Sequence, residues 1–432
     1  MRRLFNLSRV LLPVLCLLCA SPALAEDTLP SVFDIRTVSG PLTVKNQGAS
    51  DTCWAAAAST VWEGLAVTPA GVVYSQDHLV QDAFSDGNET EGGNYRTIMA
   101  YLAGGRGPVV EVAETGQSVP GQSDPAVNWQ VRSVYLLSAQ SPQEVKEALQ
   151  SDGPLQASVY LKREELAAGA YYNEETAALF DPDHTTANHD VVILGWDDTY
   201  PADAFKRKPS RNGAWICQNS WGESFGKNGI FYVSYEDPCI TSRILVYRLE
   251  QKNTSEKLYQ QDYRGWQGRQ GFADENCYFA CVYETEQSER LRAVGFYATG
   301  DQTAYEVYLV HDAQDMASLQ KRILLGSGVL EKTGYYRIDL TDDLNATERL
   351  LAGGERFGVV VRIHTPGSDL PVAVEMKKKA GPWKIDLEGK ESYLSMDGTV
   401  WENTQLLYGT NVCLKCYTVP AGEAGEEQST EE

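Results

Sequence analysis

Beyond residue 257 the helical patterning of this chain stops. Tyr278–Tyr283, Ala293–Tyr297, Tyr305–Val310, Gly334–Leu340, Phe357–Ile363 and Val412–Val419 are short runs rich in Val, Ile, Tyr and Phe, separated by Gly, Asp and Asn turns. Strands of that length and spacing bury one face each, so an antiparallel β-sandwich is expected over 258–419. Residues 29–249 instead mix helical and strand patterns, and Glu250-Gln-Lys-Asn-Thr-Ser-Glu-Lys257 between the two has the polarity of a linker. Length agrees, because 432 residues exceed what a single core usually organises. The expected class is α+β. Residues 420–432 are acidic and carry no aromatic, which reads as a disordered tail.

The N-terminus sets the compartment. Arg2, Arg3 and Arg9 precede or flank the short apolar run Val10–Ala20, and Ala23-Leu24-Ala25 supplies a small-x-small cleavage pattern. Residues 1–25 therefore read as a secretory signal peptide, since so short a run does not span about 30 Å of hydrocarbon. The product is expected to be secreted or held at a cell surface by contacts, with no transmembrane segment after signal removal. The net charge of −22 becomes −25 once the three signal arginines are gone, which excludes a basic-groove nucleic-acid binder. Of nine cysteines, Cys16 and Cys19 leave with the signal. The remaining seven are an odd set, so at least one thiol lacks an intramolecular partner.

The first part carries candidate chemistry. Lys45-Asn-Gln-Gly-Ala-Ser-Asp-Thr-Cys53-Trp54 runs into a stretch of helix formers, with a cap expected at Asp51 or Thr52. Cys53 is thus expected at a helix start, where free N–H groups and the helix dipole favour a thiolate. Gln47 on the incoming loop is placed to turn its amide toward an oxyanion beside that sulfur. His189 opens the apolar run Asp190–Trp196 and would serve as the base. Asn219, in Gln218-Asn219-Ser220-Trp221-Gly222, would orient the imidazole while Trp221 shields the contact from water. Cys, His and Asn in that order and at those separations have the layout of papain and cathepsin enzymes.

With these motifs the chain resembles the papain-like C1 cysteine peptidases, of the bacterial type with a lectin-like domain after the peptidase. Leu29-Pro-Ser-Val-Phe-Asp-Ile-Arg36 resembles the mature N-terminus, Lys45–Gly48 the oxyanion segment and Cys53-Trp54 the nucleophile. Tyr74–Leu79 resembles the segment after the central helix, and Gly92-Gly93 the pair whose backbone binds an extended substrate. The resemblance implies a two-lobed peptidase domain, one lobe helical and one barrel-like, followed by the sandwich. It implies catalytic Gln47, Cys53, His189 and Asn219, and substrate contacts at Gly92, Gly93, Asp190 and Trp221. Asp190, directly after the histidine, would line the S2 pocket and favour Lys or Arg at P2. Where the family has a small-Cys-Gly-Ser run before the nucleophile, this chain has Ala49-Ser-Asp-Thr52, which sets a carboxylate beside the thiol and removes a common disulfide partner. Glu26, Asp27 and Thr28 alone separate the signal from the domain, so no inhibitory propeptide is expected.

Other pairs have plainer readings. Cys217, in an apolar strand, is expected to be an inert thiol or a partner for Cys239, and Cys277, Cys281, Cys413 and Cys416 are expected to form one or two disulfides in a secreted β-domain. A zinc site is the weaker reading of those four, and the five-residue gap from His184 to His189, near Asp181 and Asp183, suits no metal pair. Neither metal nor cofactor is expected. Trp266, Trp383 and Trp401 would serve a sugar-stacking surface or the sandwich core. The expected function is a secreted cysteine endopeptidase acting on polypeptides, with a cell-surface glycan or protein as a further partner of the second domain. The alternatives are a catalytically dead adhesin and a cell-wall peptide hydrolase or transpeptidase.

Overall fold

The computed structural model describes residues 29–83, 92–111, 129–139, 141–166, 169, 171–340, 346–376 and 385–422. The signal pattern, Cys16, Cys19, Trp383 and residues 423–432 of the tail lie outside them.

The helix Cys53–Glu63 is buried from Trp54 to its end. Four successive alanines, Ala55 to Ala58, let neighbouring elements approach its axis closely. Thr52 stands at the N-cap position, but its side chain makes no capping bond and instead meets the Ser50 hydroxyl at 2.9 Å. At the other end the buried Glu63 carboxylate pairs with Lys45 at 2.8 Å and accepts from the Thr43 and Tyr74 backbones. A buried carboxylate with so many partners is satisfied, and it ties the incoming segment 43–45 to the helix. Helices Gln76–Ala83 and Tyr95–Ala103 pack beside it, the second capped by Asn94 Oδ1, which accepts from Arg96 N at 2.9 Å.

One path of hydrogen-bonded strands crosses both parts of the chain. From the sandwich it runs Lys257–Gln260, Leu414–Pro420, Glu289–Ala298, Gly334–Asp339; it continues into the peptidase part as Trp129–Leu137, Ile244–Gln251, Leu155–Val159, His189–Asp197, Ala214–Gln218 and Ile230–Ser234. Val32–Asp34 joins its side by pairing with residues 195–197, and Gly195 is required there because a Cβ would lie 2.0 Å from the Phe33 carbonyl oxygen. The crossing is antiparallel, with Gly334 opposite Tyr135, Tyr335 opposite Val134 and Tyr336 opposite Ser133. A six-stranded sheet, Ile323–Leu330, Thr303–Val310, Arg356–His364, Asn276–Glu284, Ser392–Ser395 and Glu402–Asn403, forms another layer of the sandwich, beside a three-stranded sheet of Gly268–Gln270, Val372–Met376 and Thr410–Val412. The α+β class and the all-β second part are as the sequence indicated. Ile323–Leu330 was not anticipated, because Gly326 and Gly328 interrupt its apolar pattern.

Two features depart from expectation. The polar run 250–257 is not a free tether: Glu250 and Gln251 end one strand, Lys257 begins the next, and the Arg337 guanidinium grips Glu256 at 2.6 and 2.7 Å and Glu250 at 3.3 Å. The expected disulfides are also absent. All seven described cysteines are free thiols. Cys277 and Cys281 share one face of one strand roughly 13 Å apart, beyond bridging reach. Cys277, Cys281 and Cys416 instead act as small apolar side chains in the sandwich core. Cys217 is buried as an inert thiol, and Cys239 Sγ donates to the His184 carbonyl oxygen. Trp266 and Trp401 are buried in cores and present no stacking surface to a sugar. Among the described residues no helix is long and apolar enough to cross a membrane.

Candidate active site

A cleft of about 660 Å³ opens where the N-terminus of Cys53–Glu63 faces the His189–Asp197 strand. Gln47, Asp51, Cys53, Gly92, Gly93, His189, Asp190 and Trp221 all line it. Asn219 lies just behind, reached through the imidazole.

Backbone pairing positions these groups. Val159 opposite His189 and Ser158 opposite Asp190 fix the histidine strand. Asn46 bridges Trp221, Gln47 N donates to Ser220 O at 2.9 Å and Gly222 N donates to Lys45 O at 3.0 Å, so the glutamine segment is stitched to the asparagine turn. Residues 173 positions apart in sequence thereby become neighbours: Ser220 Oγ donates to Gln47 Oε1 at 2.6 Å. Gln47 Nε2 donates one hydrogen to Ser50 O at 2.6 Å, which leaves its second for another acceptor.

His189 Nε2 meets Asn219 Oδ1 at 2.7 Å. The same oxygen accepts from Ser220 N at 2.7 Å, so this atom is an acceptor and the imidazole must donate Nε2–H to it. The Nδ1 lone pair is then the ring's base. Trp221 packs on the imidazole with centroids 4.8 Å apart. Burial lowers the His189 pKa from its ordinary value, opposed by the Asn219 bond and Asp190 and reinforced by the Arg163 charge.

The thiol differs from expectation. Burial first, and the Asp190 carboxylate second, push Cys53 up to about 12, with Asp51 contributing least. Desolvation of the thiol thus opposes the thiolate that a helix start favours. Asp190 is itself held: its carboxylate accepts from Ser158 Oγ at 2.6 Å and Gln156 Nε2 at 2.8 Å. Gln156 in turn accepts from the Tyr247 hydroxyl and donates to Trp54 O. Gly93 backs onto the Trp54 ring so closely that a Cβ would lie 2.3 Å from it.

Several lining residues carried no sequence signal, among them Tyr95, Ser158, Lys162, Arg163 and Arg243. Among the described residues no group of three or more His, Cys, Asp or Glu side chains is arranged to hold a metal ion.

The family model described as papain family cysteine protease matches residues 29–248, and the one described as lectin like domain matches 258–418. Cysteine proteinase 1 of Zea mays is 27% identical over 230 residues, which is 49% of this chain and 58% of that protein. Cathepsin K of Mus musculus is 26% identical over 215 residues, 47% of this chain and 59% of that one. The chain thus spans less than two thirds of the length of these relatives. Among solved structures, the clostridial cysteine protease Cwp84 after propeptide cleavage has a TM-score of 0.73 at 22% identity, covering 91% of this chain and 100% of that one. The cysteine protease and lectin-like domains of Cwp84 from Clostridium difficile give 0.72 at 21% identity, over 91% and 90% of the two chains. At such identities the likeness is one of fold, and it extends across both parts.

Proposed function

The chain belongs to the papain family of cysteine proteases, and from that premise we propose that it is a secreted cysteine endopeptidase with Cys53 as nucleophile. The observation that carries the reading is the 2.7 Å bond from His189 Nε2 to Asn219 Oδ1 beside the cleft that Cys53 lines. As Cys53 Sγ attacks a peptide carbonyl carbon, the thiol proton passes to His189 Nδ1. The Cys53 backbone N–H and the second hydrogen of Gln47 Nε2 stabilise the oxyanion. The imidazolium then gives the proton to the departing amine, the C–N bond breaks and a thioester remains. Water, deprotonated by His189, hydrolyses the thioester and restores the thiol. Asn219 keeps the ring aligned through both steps.

Gly92 and Gly93 would hold an extended substrate by its backbone, with Asp190 and Trp221 on the walls beside it. We assign the peptidase to residues 29–249 and the accessory lectin-like sandwich to 258–419, whose partner would be a cell-surface glycan or protein. Export is supported by the pattern over residues 1–25, and a cell-surface location by the description of Cwp84 as a surface layer associated protein. The test is labelling by an epoxide inhibitor of papain-like enzymes together with turnover of a peptide substrate. Cys53→Ala is expected to lose both, with turnover down by roughly 10³-fold or more, since groups acting as a unit fail as a unit. His189→Ala is expected to lose labelling while the fold persists. Unchanged hydrolysis by Cys53→Ala overturns the assignment of the nucleophile, and an intact protein that neither labels nor turns over peptide leaves a binding protein as the reading.

A further inference from the structure

The cleft is unevenly charged. Asp51 and Asp190 stand by the helix start, Lys162, Arg163 and Glu164 also line the cleft, and Arg243, a third cation of the lining, lies 5.2 Å over the Tyr95 ring. Lys162 Nζ is held by Glu165 Oε1 at 3.0 Å. The Arg163 guanidinium lies 4.7 Å above the Trp221 ring, and that ring is 4.8 Å from the His189 imidazole. Guanidinium, indole and imidazole therefore stand in consecutive contact along the cleft lining. The backbone explains it: Val159 pairs with His189, the strand ends there, and four residues later the short 3-10 turn Arg163–Glu165 brings the side chain back over the indole. Arg163 is near enough that its charge opposes protonation of His189.

Chemistry orients these contacts. The imidazole hands its proton to the leaving amine, so the part of the substrate beyond the scissile bond begins beside the imidazole, next to which the indole packs. A guanidinium stacked on an aromatic face keeps its in-plane N–H donors for a carboxylate. The surrounding protein carries a net charge of −22, which otherwise disfavours acidic peptides. We propose that Arg163 is a specificity-determining residue that selects an acidic side chain at P1′ or P2′. The proposal rests on the peptidase reading above.

Internally quenched peptides that share one half before the scissile bond and carry Asp, Ala or Lys at P1′ and P2′ test it. In the intact protein kcat/KM for Asp is expected to exceed that for Lys by about tenfold, the difference between an attractive and a repulsive charge pair at an exposed site. Arg163→Glu is expected to bring that ratio below one, and added salt to narrow it in both proteins. Each ratio is taken within one protein, so a loss of folded enzyme cancels. Peptide cleavage and Cys53 labelling with the same ratio in both proteins overturn this inference alone. Absence of both cleavage and labelling overturns the peptidase reading, and this inference with it.

Discussion

Asp190 shows how a single side chain is read differently once its neighbours are known. Its position after the histidine suggested a carboxylate facing a basic P2 residue. The structure adds that Ser158 Oγ and Gln156 Nε2 each donate to it, fixing its rotamer within a buried chain that ends at Tyr247. A carboxylate has about four acceptor positions, so two remain for a substrate ammonium or guanidinium. A P2 library is expected to favour Lys and Arg, and Asp190→Ala to cut that preference about tenfold, as for loss of one charge-assisted hydrogen bond. An aliphatic or aromatic preference that the variant leaves unchanged would refute it. At this scale Cys53, His189, Asn219 and Gln47 were legible because their chemical identities and order carry the argument. Arg163 and Ser220 were not, since a basic residue in a turn or a serine after an asparagine looks like any other until the chain is folded.

At the scale of elements, the cleft is the seam between a buried helix and a glycine pair. Trp54, 1% exposed, fills the space that a side chain at residue 93 would need. Its ring cannot yield, because the helix carrying it is buried on every side. Gly93→Ala is expected to destabilise the protein by about 1–3 kcal/mol, the usual cost of overpacking, and to raise KM more than it lowers kcat as the cleft wall shifts. Thermal melts together with Michaelis curves check this, and a wild-type melting point with unchanged KM would refute it. Elements were readable where their period was clean. Five of the six anticipated strands are present as single strands, the sixth is broken at Cys413 into Thr410–Val412 and Leu414–Pro420 in different sheets, and the helix after Cys53 starts where its composition indicated. Thr52 takes the cap position that the sequence indicates, but its hydroxyl meets Ser50 and makes no capping bond, a local choice that residue type alone does not fix.

Over the whole molecule the described residues of the two parts from Ser31 onward belong to one compact unit. Their strands join through Gly334–Asp339 and Trp129–Leu137, and a single apolar cluster contains Trp54, Trp62 and Tyr101 from one part with Trp266, Tyr297 and Tyr335 from the other. Around it Arg106 pairs with Asp82 at 2.8 Å, Arg264 Nη1 donates to Ala83 O at 2.9 Å and the Arg96 guanidinium lies 4.3 Å over Trp266. An interface of this kind, apolar at its centre and paired at its rim, does not come apart before the cores it joins. Scanning calorimetry is expected to record one unfolding transition with matching calorimetric and van't Hoff enthalpies, and two resolved transitions would refute the coupling.

The sequence by itself determined the chemistry on offer and the class of each half, because thiol, imidazole and amide are named by residue type and strands and helices by the period of their apolar residues. Only the tertiary structure decided how those groups are tuned and joined. Desolvation of Cys53, the consecutive contacts from His189 to Arg163, the free thiols of the sandwich and the grip of Arg337 on the supposed linker all arise between residues distant in the chain. Such effects depend on which surfaces lose water together and which charges end within a few ångströms of each other, and local pattern carries neither.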